Sequence, residues 1–159
     1  MKPPEIIEVD VEHLSARFLI AALDEDLRSR YPGEPIYGIE PTDFRAAKGL
    51  FVVALDGQAP VACGAYHPQD ARTVEIKRVF VVPTHRRRGY SRAILACLER
   101  RAADHGFARA ILETADRQPE AIVLYRSAGY TDIAPFGRYA NDPRSVYLGK
   151  DLRFDSNPA

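Results

Sequence analysis

The chain has 159 residues, of which 46% are hydrophobic and 28% charged, a composition typical of one globular domain. Its 22 basic and 22 acidic residues cancel, so net charge favours neither nucleic acid nor an anionic membrane as a partner. The chain has no run of about 18 apolar residues, so we expect no transmembrane helix. Glu5, Glu8 and Asp10 lie where the apolar core of a signal peptide would stand. We therefore expect a cytoplasmic protein with a single domain, 1–159.

The first half of the chain predicts one helix and three strands. A short strand at residues 6–9 precedes a helix at about residues 11–28, with Asp10 as its N-cap. The apolar positions that recur at helical spacing, and that we expect to face the core, are Leu14, Phe18, Ala21 and Ala22. Proline and glycine make residues 31–49 a loop with one helical turn near 42–46. Strands at 50–55 and 60–66 flank a hairpin turn.

The second half alternates strands and helices. A long strand at 73–82 leads to a helix at 91–105 that ends at Gly106. A strand at 108–114, a helix at 119–128, a strand from Tyr130 and a last strand at 145–152 follow, with a frayed tail at 154–159. This order predicts a mixed α/β fold, with one sheet of six or seven strands and helices on both faces.

The segment from Glu75 to Arg92 has the pattern of a phosphate cradle. Pro83 ends a β-rich run, because proline lacks the N–H that a strand ladder needs. A basic turn with one glycine, Gly89, then opens a helix. The first N–H groups of a helix have no partners and carry partial positive charge, and arginines add charge-assisted hydrogen bonds. The pattern predicts a phosphate-bearing ligand.

This segment resembles the GNAT family of acetyl-CoA-dependent N-acetyltransferases, whose signature is Arg/Gln-x-x-Gly-x-Gly/Ala. Arg86, Gly89 and Ser91 hold the three defining positions, with serine where the family has glycine or alanine. The strand at 109–114 and the helix at 118–130, with Leu-Tyr and Gly-Tyr near its end, extend the resemblance to about residues 50–152. It implies that the strands at 73–82 and 108–114 run parallel and splay apart at one end.

The resemblance implies acetyl-CoA as co-substrate and no metal. The cofactor's pantetheine arm would pair with backbone in the splayed opening, and the N–H groups of the arginine turn would wrap its pyrophosphate. Gln118 stands where relatives have an asparagine that touches the cofactor. The cofactor-binding residues implied are Val79, Phe80, Val81, Arg86, Arg87, Arg88, Gly89, Tyr90, Ser91, Arg92 and Gln118.

For catalysis, the resemblance implies a carboxylate base and a tyrosine acid. An amine must lose a proton before it attacks a thioester, and a carboxylate with a raised pKa can accept that proton. Glu75 is the first choice and Glu113 the second, while Tyr125 would protonate the leaving thiolate. The alternatives are a surface Glu75 paired with Lys77 or Arg72, and a Tyr125 that only packs in the core.

The acceptor is less defined. The family's acceptor pocket would lie between residues 31–48 and 135–141, where acidic and aromatic side chains could attract and enclose a cationic amine. These side chains are Glu34, Glu40, Asp43, Tyr31, Tyr37 and Tyr139. We expect a small primary amine or an amino-acid-like acceptor.

Two alternative functions stay open, a protein or peptide N-acetyltransferase and a non-catalytic acyl-CoA-binding regulator. A homodimer also stays open. Histidine spacing predicts no metal site, and Cys63 and Cys97 read as reduced packing thiols.

Overall fold

The computed structural model of the chain describes residues 3–36, 38–137 and 140–152. The strands are β1 (Glu5–Val9), β2 (Leu50–Asp56), β3 (Ala59–Pro68), β4 (Thr73–Val81), β5 (Arg109–Ala115), β6 (Thr131–Asp132) and β7 (Ser145–Asp151). The helices are α1 (Leu14–Arg30), α2 (Pro41–Ala46), α3 (Tyr90–Asp104) and α4 (Pro119–Ser127), with a 3-10 turn at Pro83–His85. The predicted order of elements is confirmed. Tyr37, Tyr139 and the predicted frayed tail lie outside the described residues.

The seven strands form one mixed sheet in the order β1-β2-β3-β4-β5-β7-β6. Every neighbouring pair is antiparallel except β4 and β5, which are parallel. Their pairing runs only from Thr73–Arg109 to Glu75–Ile111. Beyond Glu75 the two strands diverge and leave a gap in the sheet, as the resemblance to the GNAT family implied.

A bulge in β4 sits next to this gap. Ala65 of β3 faces Lys77 and Cys63 faces Phe80, so β4 carries one extra residue there. Arg78 takes a left-handed conformation with φ of 60°, and its carbonyl accepts a hydrogen bond from the Cys63 thiol at 3.2 Å. A bulge bends its strand and changes which side chains face each side of the sheet. The bulge therefore sets how the end of β4 is presented to the gap.

Helices cover both faces of the sheet. On one face α1 and α2 pack against β1 to β4, with Leu19, Phe44 and Phe51 in the core. On the other face α3 and α4 pack through Ile94 and Tyr125. The two helix layers bury the middle strands of the sheet.

Two predictions about α1 are wrong. Leu14 and Phe18 are 79% and 57% exposed and Ala21 is exposed as well, whereas Ala22 is partly buried against the core as predicted. The helix buries Ala16, Leu19 and Leu23 instead. The helix carries a second apolar stripe on roughly its opposite side, which is longer and richer in leucine, and burying that stripe removes more apolar surface from water.

The N-cap of α1 also differs from the prediction. The ring nitrogen Nδ1 of His13 accepts a hydrogen bond from the Ser15 N–H at 3.2 Å, so His13 caps the helix. Asp10 lies one turn earlier, where its carboxylate accepts from the Glu12 N–H at 2.9 Å and pairs with Arg45 at 2.7 Å. The helix begins at Leu14 rather than near residue 11, so Asp10 lies too early in the chain to cap it.

Candidate active site

Two clefts meet at the gap between β4 and β5. The arginine-turn cleft, about 740 Å³, lies between α4 and the turn that precedes α3. Arg87, Gly89 and Leu124 line it. The sheet-face cleft, about 890 Å³, lies on the face that carries α1, and Glu75 and Glu113 line it. The residues that line both clefts are Leu23, Val79, Gln118, Ala121 and Tyr125. A molecule bound in one cleft can thus reach a molecule bound in the other.

The turn before α3 has the backbone shape of an anion site. Arg87 and Gly89 both have left-handed φ angles, 64° and 83°. The Ala93 N–H makes the first helical bond, to the Gly89 carbonyl at 3.1 Å, so the N–H groups of Tyr90, Ser91 and Arg92 precede it. Successive N–H groups in such a turn form a concave site for anions. A Cβ on Gly89 would meet nothing within 4 Å, so the backbone angle rather than crowding favours glycine there.

The four arginines predicted to bind the cofactor make different contacts in the structure. Arg86 folds back onto β4, where its Nε donates to the Val81 carbonyl at 3.1 Å. Arg92 donates from Nη2 to the Ser127 hydroxyl at 2.8 Å, which ties the start of α3 to the end of α4. Arg87 is exposed and lines the cleft, whereas Arg88 is exposed and lies outside its lining. Arg87 is therefore the arginine best placed to meet a ligand with its side chain.

The end of β4 offers backbone groups to the gap. The Val82 N–H donates to the Val61 carbonyl of the β3 side at 2.9 Å. Hydrogen-bonding direction alternates along an antiparallel strand, so the backbone of Phe80 also faces β3, and those of Val79 and Val81 face the gap. Of the three residues predicted to pair with a cofactor, Phe80 therefore has its backbone turned toward β3, and its ring is buried in the core.

The two candidate bases lie on the same face of the sheet. Glu75 pairs in register with Ile111, and Glu113 is two residues further along β5. The Glu75 carboxylate accepts from the Gln69 amide at 3.3 Å and lies 3.8 Å from the Lys77 ammonium. This is the paired state that the sequence analysis gave as the alternative for Glu75.

Glu113 has a different environment. Its Oε1 accepts a hydrogen bond from the Ser145 hydroxyl at 2.8 Å. Burial raises the pKa of Glu113, the Ser145 hydrogen bond opposes that shift, and the neighbouring Glu75 carboxylate adds to it. A carboxylate whose pKa is raised toward neutrality is better matched to accepting a proton from an amine.

Tyr125 and Gln118 stand where the clefts join. Tyr125 is buried, its ring meets the edge of Tyr130 at 5.7 Å, and burial raises its pKa, so the phenol stays protonated. Within the described ranges its hydroxyl has no hydrogen-bond partner. Gln118 is the N-cap residue of α4, but its side chain does not cap the helix. Both polar side chains are thus available to a ligand at the gap.

The acidic residues expected in the acceptor pocket have local roles instead. Glu34 forms an ion pair with Arg144, and the Glu40 carboxylate caps α2 by accepting from the Asp43 N–H at 2.7 Å. None of these three acidic residues lines the sheet-face cleft, and neither does Tyr31. The two predicted segments do line the cleft, through residues such as Ile39 and Phe136, whereas Leu27 and Lys77 line it without having been predicted as pocket residues. Lys77 had one usable signal, because it follows Glu75 by two positions on the same strand face.

Within the described ranges, no group of three or more His, Cys, Asp or Glu side chains could hold a metal ion. None of the helices in these ranges combines the length and the apolarity that crossing a bilayer requires.

The profile of the Acetyltransferase (GNAT) family matches residues 16–130. The chain belongs to the GNAT family. It is 35% identical over 135 residues to the IAA acetyltransferase of Azospirillum brasilense, covering 84% of this chain and 88% of that protein. It is 30% identical over 152 residues to YsnE of Bacillus subtilis, an uncharacterized N-acetyltransferase, covering 92% and 100%. The expectation of an acyltransferase enzyme is confirmed.

Solved structures confirm the GNAT fold. A Klebsiella pneumoniae protein assigned as an acyl-CoA N-acyltransferase superposes with a TM-score of 0.79 at 28% identity, over 94% of this chain and 98% of that chain. An aminoglycoside 6'-N-acetyltransferase in complex with coenzyme A has a TM-score of 0.72 at 17% identity, over 94% and 97%. A GNAT acetyltransferase of Elizabethkingia anophelis with acetyl-CoA bound has a TM-score of 0.70 at 15% identity, over 96% and 100%.

Proposed function

We propose that this GNAT protein transfers the acetyl group of acetyl-CoA to the primary amine of a small or amino-acid-like acceptor. The observation that carries the proposal is the meeting of the two clefts at the gap between β4 and β5, where Val79, Gln118 and Tyr125 line both. A donor in the arginine-turn cleft and an acceptor in the sheet-face cleft would bring thioester and amine together there.

The arginine-turn cleft fits the donor. The left-handed angles at Arg87 and Gly89 and the N–H groups that precede the first helical bond of α3 suit a pyrophosphate. The gap-facing backbone of Val79 and the N–H of Val81, whose carbonyl already accepts from Arg86, suit an extended chain of amides, which would add to β4 as a further strand. When bound, acetyl-CoA supplies the activated acetyl group, and these residues hold and orient it.

Glu113 is the better supported base. It lines the cleft assigned to the acceptor, and burial raises its pKa. It would accept a proton from the acceptor ammonium, directly or through water, and so leave the neutral amine to attack. Glu75, the first choice from the sequence, is held by Gln69 and Lys77 and would act mainly through its charge on Glu113.

Tyr125 is the proposed acid. The attacking amine expels coenzyme A as a thiolate, which needs a proton or a hydrogen bond. The raised pKa of the Tyr125 phenol keeps its proton in place at neutral pH. Its position in both clefts puts that hydroxyl where the donor and the acceptor would meet.

A small acceptor is favoured by the size and walls of the sheet-face cleft. Its volume of about 890 Å³ is in the range of small-ligand sites. Apolar side chains from α1 and from the segment before β7, such as Leu27 and Phe136, line it on different sides. An extended peptide would need a longer open groove.

A thiol-release assay with acetyl-CoA and a panel of amines tests the proposal, with Glu113→Gln and Glu75→Gln as a matched pair. We expect Glu113→Gln to lower kcat by about 10²-fold or more, the usual contribution of a general base, while calorimetry finds acetyl-CoA binding unchanged. We expect a smaller loss for Glu75→Gln. Tight acetyl-CoA binding without turnover on any amine would favour a non-catalytic regulator. Turnover on peptides alone would favour a protein N-acetyltransferase.

A further inference from the structure

Ser145 is the first residue of β7, and its hydroxyl donates to Oε1 of Glu113 at 2.8 Å. The contact joins residues 32 positions apart in sequence across the β5–β7 pair. We propose that Ser145 is a positioning residue for the general base Glu113, and that an ion pair between Arg144 and Glu34 holds Ser145 in place. This inference rests on the proposed function, because it assigns Ser145 a role in the same proton transfer.

The segment that carries Ser145 is fixed by its own hydrogen bonds. The Ser145 N–H donates to the Asp142 carbonyl at 3.1 Å, and the Arg144 N–H donates to the Asp142 carboxylate at 2.9 Å. On the other side, the Asp116 N–H donates to the Arg144 carbonyl at 3.0 Å. The backbone around Ser145 is therefore held from both neighbouring segments, which limits the positions that its hydroxyl can take.

Arg144 links this segment to the far side of the chain. Its guanidinium forms an ion pair with Glu34, which lies in the segment after α1, and a second with Asp142 at 3.1 Å. Residues 31–48 and 135–141 are the segments expected to shape the acceptor pocket, and Glu34 and Arg144 stand in or beside them. The Arg144–Glu34 ion pair thus joins these two segments next to Ser145, which hydrogen-bonds to Glu113.

The charged groups around Glu113 explain why a hydroxyl matters there. On β4, the Glu75 carboxylate raises the pKa of Glu113 and the Lys77 ammonium lowers it. From the β7 side, the Asp142 carboxylate raises the pKa, whereas the hydrogen bond from Ser145 lowers it. Tyr147 faces Glu113 across the strand pair, and its hydroxyl is buried without a partner among the described residues. Ser145 is thus the observed hydrogen-bond donor to the ionised carboxylate.

The pH dependence of kcat/KM in Ser145→Ala and Ser145→Thr tests the role. Removing the hydroxyl destabilises the ionised form of Glu113, so we expect the acid limb of Ser145→Ala to move up by roughly one pH unit. Ser145→Thr keeps the hydroxyl and should return the limb to the wild-type position. Ser15→Ala, which removes a serine hydroxyl at the other end of the chain, should leave the profile unchanged.

The pKa of Glu113 can also be followed without turnover, by carbon-13 NMR of its side-chain carboxyl in each variant. An upward shift in Ser145→Ala that Ser145→Thr reverses supports the proposal, and Glu34→Gln should give a smaller shift in the same direction. An unshifted Glu113 titration in Ser145→Ala, or a uniform loss of rate at every pH, overturns it. If Glu113→Gln is fully active, the proposed assignment of Glu113 as the base fails. The NMR titration still tests whether the Ser145 hydroxyl stabilises the ionised Glu113 carboxylate.

Discussion

The arginine-turn cleft and the sheet-face cleft are built in different ways. The first comes largely from one continuous stretch, Val79 to Arg92, and much of what it offers a ligand is backbone. The second collects side chains from α1, β4, β5 and the segment before β7, which are far apart in sequence. Backbone groups bind the part that all acyl-CoA donors have in common. The side chains of the sheet-face cleft, in contrast, can differ between enzymes that use different acceptors. The contrast indicates that donor binding and acceptor choice can be altered separately.

Tyr125→Phe should have the largest effect, because Tyr125 stands where the clefts join. We expect kcat to fall by about 10² to 10³-fold, since the substitution removes the only proton of that side chain that can reach the thiolate. Tyr130→Phe is the matched control, because it removes the hydroxyl that donates to Glu99 at 2.9 Å, away from both clefts. Steady-state kinetics check this pair. Equal losses in both variants would mean that Tyr125 acts only through packing.

Gly89→Val should weaken the arginine-turn cleft alone. A β-branched residue at a φ of 83° strains the turn, and strain of about 1–3 kcal/mol corresponds to about 5- to 150-fold in acetyl-CoA affinity. Gly57→Val is the matched control, because Gly57 has a φ of 62° and equally open space but lies in the β2–β3 turn. Calorimetry should find normal affinity in the control. Similar affinity losses in both variants would contradict a local role for the turn.

Arg87→Ala and Arg88→Ala compare the contributions of two adjacent arginines of the same turn to acetyl-CoA affinity. Arg87 lines the cleft and Arg88 does not, so we expect a loss of about 3- to 10-fold in acetyl-CoA affinity for the first and little change for the second. The difference should shrink at high salt, because exposed charges are screened. Calorimetry at two ionic strengths checks this. A larger loss in Arg88→Ala would reverse the assignment.

Glu113→Gln should have a small effect on stability, opposite in sign to its effect on activity. The folded-state pKa of Glu113 is raised, so its contribution to stability is present at low pH and is lost as pH rises through that pKa. Glutamine does not ionise, so the variant should melt no lower than wild type at pH 8, and its advantage should vanish near pH 4. Thermal unfolding at both pH values checks the sign. A variant that melts lower only at pH 8 would contradict a raised pKa.

The sequence predicted the arginine-turn cleft well because its signals are local. Pro83, Gly89 and the change from strand to helical periodicity lie within one short segment, and the structure has the predicted strand, turn and helix there. Even so, the sequence could not separate Arg87 from Arg86, because that difference depends on where the Val81 carbonyl lies. The β4 bulge at Arg78 likewise had no sequence signal.

The sheet-face cleft could not be read from the sequence for the opposite reason. Glu34 and Glu40 looked like attractants for an amine, but Arg144, 110 positions away, takes the first, and the N-terminus of α2 takes the second. The contact between Ser145 and Glu113 depends on the pairing of β5 with β7, which no local pattern specifies. The two apolar stripes of α1 were confused because both have helical spacing.

A crystal structure with coenzyme A tests the central claim most directly. The account predicts the pyrophosphate on the N–H groups of Tyr90 to Arg92, the pantetheine arm beside Val79 and Val81, and the thiol within reach of the Tyr125 hydroxyl at the gap. Coenzyme A bound with its thiol away from the gap, or a gap closed by side chains in the complex, would contradict it.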